Sequence, residues 1–155
     1  MCPAEEDNMM SSADDTDIAF YNRALIDLSA RAGEVRAIEG AVTHNAKVVS
    51  PICGSEFEID MRVDEGGRIV ALGYRLAACA LTKSVVAVFQ DAAISADIVE
   101  IRAAHQALAQ LLAGETPDWP NAKWAELQIL APLKDHRPRH NAMQLPFEAA
   151  EKALK

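Results

Sequence analysis

The chain has 155 residues, half of them hydrophobic and a quarter charged, which fits one globular domain long enough to bury a sizeable core. Its 15 Lys and Arg against 23 Asp and Glu leave a net charge of -8, a balance that excludes a sequence-independent binder of nucleic-acid backbone, because neutralising phosphates takes clustered cations. Three cysteines, one of them Cys2 in a polar stretch, provide no disulfide framework and point to a reducing compartment. No apolar run reaches the ~18 residues that crossing a bilayer requires, and the amino terminus is acidic where a signal peptide is basic. The expected address is the cytoplasm, with no membrane and no nucleic acid among the partners.

Residues 1–16 are acidic, Ser-rich and without apolar period, and are expected to form a disordered tail ahead of a single domain over 17–155. From Asp17 as N-cap, Ile18, Tyr21, Leu25 and Leu28 fall on one stripe, which predicts a helix ending near Gly33 and covering one face of a sheet. Between Gly40 and Ser50, VTHNAKVVS reads as a first strand, with His44 a surface polar residue. Cys53 follows it, ahead of a clean alternation: Phe57, Ile59, Met61 and Val63 face one way, and Glu56, Glu58, Asp60 and Arg62 the other. The segment 64–67, DEGG, suits a tight reversal, and 68–77 returns rich in Ile, Val, Leu and Tyr, so a β-hairpin is predicted.

Cys79 comes next, at the start of a helix marked by Leu81, Val85, Val88 and Phe89. Exposed N–H groups and the dipole at a helix N-terminus favour a thiolate. The plainer reading is that both cysteines are small buried hydrophobes. Ser95 can cap a long helix over 97–113, whose apolar stripe carries His105, a position more often held by a satisfied core histidine than by a ligand. Trp119 is expected to anchor the loop 115–121 by burial. A short helix is expected over 123–130. The segment 132–141, PLKDHRPRHN, reads as a loop before a final helix over 142–154 and holds the remaining chemistry, His136 and His140 among basic side chains. Imidazole is a good borderline ligand for zinc or iron, alone or mixed with thiolate. Against this stands a solvated basic loop offsetting the carboxylates of an acidic protein.

An apolar residue before Cys53-Gly54, a hairpin of this length, then Cys79 with a small residue and an apolar helix together resemble the NifU-like (IscU/SufU-type) iron-sulfur cluster scaffold family, over most of 17–154. The segment between Cys79 and the last helix resembles the SufU-type branch. In that family three cysteines and an aspartate hold zinc or a nascent cluster, built with sulfur from a cysteine desulfurase and passed to apo-protein acceptors. The resemblance covers Cys53 and Cys79. The family's aspartate reads Ser55, its Gly-Cys reads Ala78-Cys79, and matching Arg139 and Leu145-Pro146-Phe147 without a gap puts Ala142 where the third cysteine is expected.

The expectation is an α+β domain, with a three-stranded antiparallel sheet packed against several helices. The resemblance implies a scaffold and not an enzyme, expected to bind zinc, iron or a transient iron-sulfur cluster through Cys53, Cys79 and His140. The alternative is a degenerate interaction module that binds a desulfurase or another assembly factor without metal. A cysteine nucleophile at Cys79 with a histidine base is a third reading, unaccompanied by a nucleophile elbow or a phosphate loop.

Overall fold

The structure is a computed structural model that describes residues 21–52 and 54–155. The predicted N-cap at Asp17, Ile18, the acidic tail and Cys53 lie outside the described residues. A π-helical turn, Tyr21–Leu25, runs into α1, Ile26–Ser29, and Leu25 and Leu28 are buried as the apolar stripe required. The strands β1 (Val35–Arg36), β2 (His44–Val49), β3 (Glu56–Val63) and β4 (Ile69–Ala77) form one antiparallel sheet in the order β1-β4-β3-β2.

Four strands replace the three expected, because β1 is too short to show alternation in sequence. It is held by pairing Val35 with Arg75 and Arg36 with Tyr74, and the segment then crosses β4 closely. A Cβ on Gly73 would meet the Arg36 carbonyl oxygen at 2.5 Å and the Ile38 nitrogen at 2.6 Å, so only glycine fits there. The hairpin β3–β4 closes as predicted, with the Asp64 carboxylate accepting from the Arg68 N–H at 2.9 Å.

Phe57, Ile59 and Met61 of β3 and Leu72, Tyr74 and Leu76 of β4 line the inner face of the sheet. The outer face is wet: Arg75 pairs with Glu58 and Asp60 at 3.2 and 3.1 Å, and Lys47 with Glu56 at 2.9 Å. The Asn45 amide and then Arg75 hold the Glu58 carboxyl below the usual carboxylate range.

Helix α2 (Ala80–Ala92) packs against α1 and α4, and Leu81, Val85, Val88 and Phe89 are all buried. Helix α3 (Ile98–Leu112) is capped by Asp97, whose carboxylate accepts from the Glu100 N–H at 2.9 Å, and not by Ser95. Ser95 sits at φ 75° in the connection, where its N–H donates to the Ile69 carbonyl, so it is spent on the sheet. The short helix comes two residues later and longer than expected, as a 3₁₀ segment, Ala125–Asp135. Helix α4 runs Arg137–Leu154, so the predicted loop 132–141 is helical for most of its length. Pro138 lies in the first turn of α4, where its missing N–H has no partner to lose.

Helix α4 lies across β2 and β3. One of its faces carries Phe147 into an aromatic cluster with Phe89, Trp124 and the His105 ring, at centroid distances of 5.3, 5.5 and 5.3 Å. Trp124 is the fully buried tryptophan, its Nε1–H donating to Glu100 at 2.8 Å; Trp119, the expected anchor, is only half-buried and donates to Gln128. No described helix is long and apolar enough to cross a membrane.

Candidate functional site

Cys79 ends the run of β4 and occupies the N-cap of α2, with extended backbone (φ -76°, ψ 172°). The chain must turn there from strand to helix, and that turn fixes the sulfur at one end of the sheet. It is 4% exposed and free of any disulfide. The pairing of Glu56 with Ala77 brings the start of β3, and Ser55 before it, to this same end. Ser55 is buried, its carbonyl accepting from the Ser50 N–H at 2.7 Å, and the Gly54 N–H donates to the Ser50 carbonyl at 2.9 Å. The φ of 75° at Gly54 is one that side chains beyond hydrogen rarely adopt. Ser55 is the buried residue at which the resemblance leads one to expect an acid.

Helix α4 brings Ala142 to the same corner. The Thr82 Oγ1–H donates to the Ala142 carbonyl at 3.0 Å, and the same oxygen lies 3.8 Å from the Cys79 sulfur. Ala142 is 2% exposed and Thr82 fully buried. The residue that the gapless matching puts in place of a third cysteine is therefore one hydroxyl away from Cys79, a convergence that sequence spacing alone does not require. Beside it, the Asn141 Oδ1 is buried without a hydrogen-bond partner among the described residues, an unusual state for a buried acceptor.

His140 is placed differently. Its Nε2 lies 3.0 Å from the Leu133 carbonyl, which can only accept, so Nε2 carries the proton and Nδ1 the lone pair in the neutral ring. Two residues along an α-helix is a turn of about 200°, and while Ala142 meets α2, His140 lines a cavity of about 440 Å³ with Leu112, Gly114, Lys134, Arg137 and Gln144. The structure brings Cys79 and the Ala142 position together, and it does not bring His140 to them. His136 is the N-cap of α4. His105, as expected, is a satisfied histidine: it bonds Glu151 through Nδ1 and Gln144 through Nε2, the latter at 2.9 Å. No group of three or more Cys, His, Asp or Glu poised for a metal occurs among the described residues.

Sequence reasoning passed over Thr82 and Asn141. The signal for Thr82 was Pro146, four residues after Ala142: a proline inside a helix strips the preceding turn's carbonyl of its donor, and a buried hydroxyl nearby is the usual remedy. Asn141 carried no signal of its own.

Comparison with solved structures bears on the fold. The chain superposes on the crystal structure of the N-terminal part of a nitrogen-fixing NifU-like protein from Brucella abortus with a TM-score of 0.75 at 25% identity, over 87% of this chain and 92% of that one. A proposed iron-sulfur cluster assembly scaffold protein for the SUF system from Fervidobacterium islandicum gives 0.72 at 18% identity, over 88% and 98%. A hypothetical protein gives 0.72 at 19%, over 88% and 97%. The second and third share the fold alone. No protein-family model matches the chain, and no curated protein matches it in sequence. The fold is the NifU-like scaffold fold. At 25% identity the chain is similar to the NifU-like protein, and Ser55 and Ala142 stand at the positions where the resemblance leads one to expect an acid and a third thiol.

Proposed function

We propose that the protein holds a soft metal ion or a nascent iron-sulfur cluster at the end of its sheet, through the thiolates of Cys79 and Cys53, and passes it to apo-protein acceptors. The observation that carries this reading is the convergence of Cys79, Thr82 and Ala142 in one buried corner. A decayed scaffold with an unrelated role has no reason to keep the third-ligand position packed against the thiol. The donor set fits a cargo held loosely: fewer thiolates leave coordination positions open, which suits transfer better than permanent residence. The NifU-like likeness at 25% identity supports the same reading, as do the SUF scaffold's fold and its described role. A cysteine desulfurase as sulfur source and a cytoplasmic setting belong to this proposal, and so does the division into a tail over 1–16 and a domain over 17–155. His140 enters the site only if the first turn of α4 unwinds and turns the Nδ1 lone pair towards it.

The second reading is an interaction module without metal, and Ala142 favours it, since a methyl group cannot ligate. Metal and acid-labile sulfide content, measured after anaerobic reconstitution with iron and sulfide, separates the two. The metal-holding reading predicts near-stoichiometric loading that is lost in Cys79→Ala and Cys53→Ala and retained in His140→Ala. An unloaded but folded parent leaves the interaction module.

A further inference from the structure

Pro146 stands inside α4, so the Ala142 carbonyl lacks the N–H that the residue four positions on supplies in an unbroken helix. That carbonyl belongs to a residue 2% exposed. Thr82, fully buried on the first turn of α2, replaces the donor at 3.0 Å. A threonine hydroxyl has one hydrogen. With that hydrogen committed to a carbonyl, which has none to return, the contact of 3.8 Å between the Cys79 sulfur and Thr82 Oγ1 must run the other way, from S–H to oxygen. The relay is Cys79 S–H to Thr82 O–H to Ala142 C=O, and it joins the thiol at the head of α2 to the beginning of α4.

We propose that Thr82 is the positioning residue of the site. Its single hydrogen satisfies the Ala142 carbonyl because Pro146 cannot, which ties the early turns of α4 to α2, and the Cys79 sulfur competes with that carbonyl for the hydrogen whenever the sulfur is an acceptor. A sulfur bonded to metal, or to a second sulfur, has no hydrogen to donate and lone pairs to satisfy. Drawing the Thr82 hydrogen towards it leaves a buried carbonyl without a donor, and so loosens α4 at the place where Arg137 and His140 meet the surroundings. Loading of the thiol is thereby transmitted to the start of the last helix. The nature of the cargo rests on the function proposed above, whereas the hold of Thr82 on α4 does not.

The test is a double-mutant cycle that needs no metal. Pro146→Ala returns the helix its own donor and makes the Thr82 hydroxyl dispensable for α4. Thr82→Val is expected to lower the urea midpoint of the parent clearly, and to lower that of Pro146→Ala much less. Thr82→Ser, which keeps the hydroxyl, stays close to the parent and guards against a mere packing defect. The second readout is the rate at which iodoacetamide alkylates Cys79 at fixed pH, followed by peptide mass. Freed from Ala142, the hydroxyl can serve the sulfur, so Pro146→Ala reacts about fivefold faster than the parent, a ratio equivalent to about 1 kcal/mol. That gain disappears in the double variant Thr82→Val/Pro146→Ala. Equal cost of Thr82→Val in both backgrounds overturns the hold on α4, and alkylation of Pro146→Ala at the parent's rate overturns the competition. A chain that passes both and takes up no metal refutes the function proposed above and leaves the Thr82 relay standing.

Discussion

The two sides of α4 are built on different physical terms. Towards Trp124, Phe89 and His105 it presents Phe147, and the contact is made of large rings packed edge to face or stacked. Towards Cys79 it presents the buried Ala142, whose carbonyl takes a hydroxyl bridge from Thr82. Rings hold by area and tolerate loss of any one hydrogen bond. The corner at Cys79 holds by one hydrogen and is sensitive to the chemical state of the sulfur. A protein that keeps a reactive thiol buried yet usable gains from this division, since the helix stays seated by its aromatic side while its thiol side can change.

That comparison can be broken from either side. Phe147→Ala removes the shared member of the ring cluster and is expected to cost about 3–5 kcal/mol in urea unfolding, with the Cys79 corner affected only through the loss of the fold. A cost under about 1 kcal/mol would mean that the rings do not seat α4. Thr82→Val is the corresponding cut on the other side and should cost about 1–3 kcal/mol, the penalty of an orphaned buried carbonyl. The smallest effect is expected at Glu148, midway between the two sides, where burial raises the carboxyl above its ordinary range and the neighbouring His105 opposes that shift.

The sign follows from linkage. A folded-state value above the unfolded one means that the fold prefers the protonated acid, so the contribution is present below the ordinary carboxylate range and is lost as pH rises through the elevated value. Glu148→Gln should therefore raise the melting temperature by about 1–2 °C at neutral pH, and leave it unchanged in acid. A variant equally stabilised at both pH values would show that the charge at Glu148 is not the cause.

What the sequence disclosed follows the same division. Periods of 2 and 3.6 come from burial, so the hairpin of Phe57, Ile59 and Met61 and the stripe of Leu81, Val85 and Phe89 were legible residue by residue. Elements held by anything else were not. Strand β1 is two residues fixed by pairing; the N-terminal turn of α4 was hidden because Pro132 and Pro138 read as breakers, although the first sits in a 3₁₀ turn and the second where a helix begins. Asp97 displaced Ser95 as cap because Ser95 is committed to Ile69 across the chain. At the site, the place of Cys79 before a helix and of Ala142 against it could be read from spacing and resemblance. For Thr82 the one signal was Pro146, 64 positions away in sequence, and only the fold shows that Thr82 is the hydroxyl that reaches the Ala142 carbonyl. His140 was misleading for a related reason: proximity to 142 along a chain read as a loop becomes the opposite side of a helix.

The most direct measurement of the account is zinc affinity, by competition with a chelator, of Ala142→Cys against the parent, each with and without Cys79→Ala. If the corner of Cys79, Thr82 and Ala142 is the metal-holding corner, a thiol restored at 142 tightens zinc by about tenfold or more, about 1.4 kcal/mol, and the gain vanishes when Cys79 is removed. A folded Ala142→Cys chain with the parent's affinity, or a gain that survives Cys79→Ala, would contradict it.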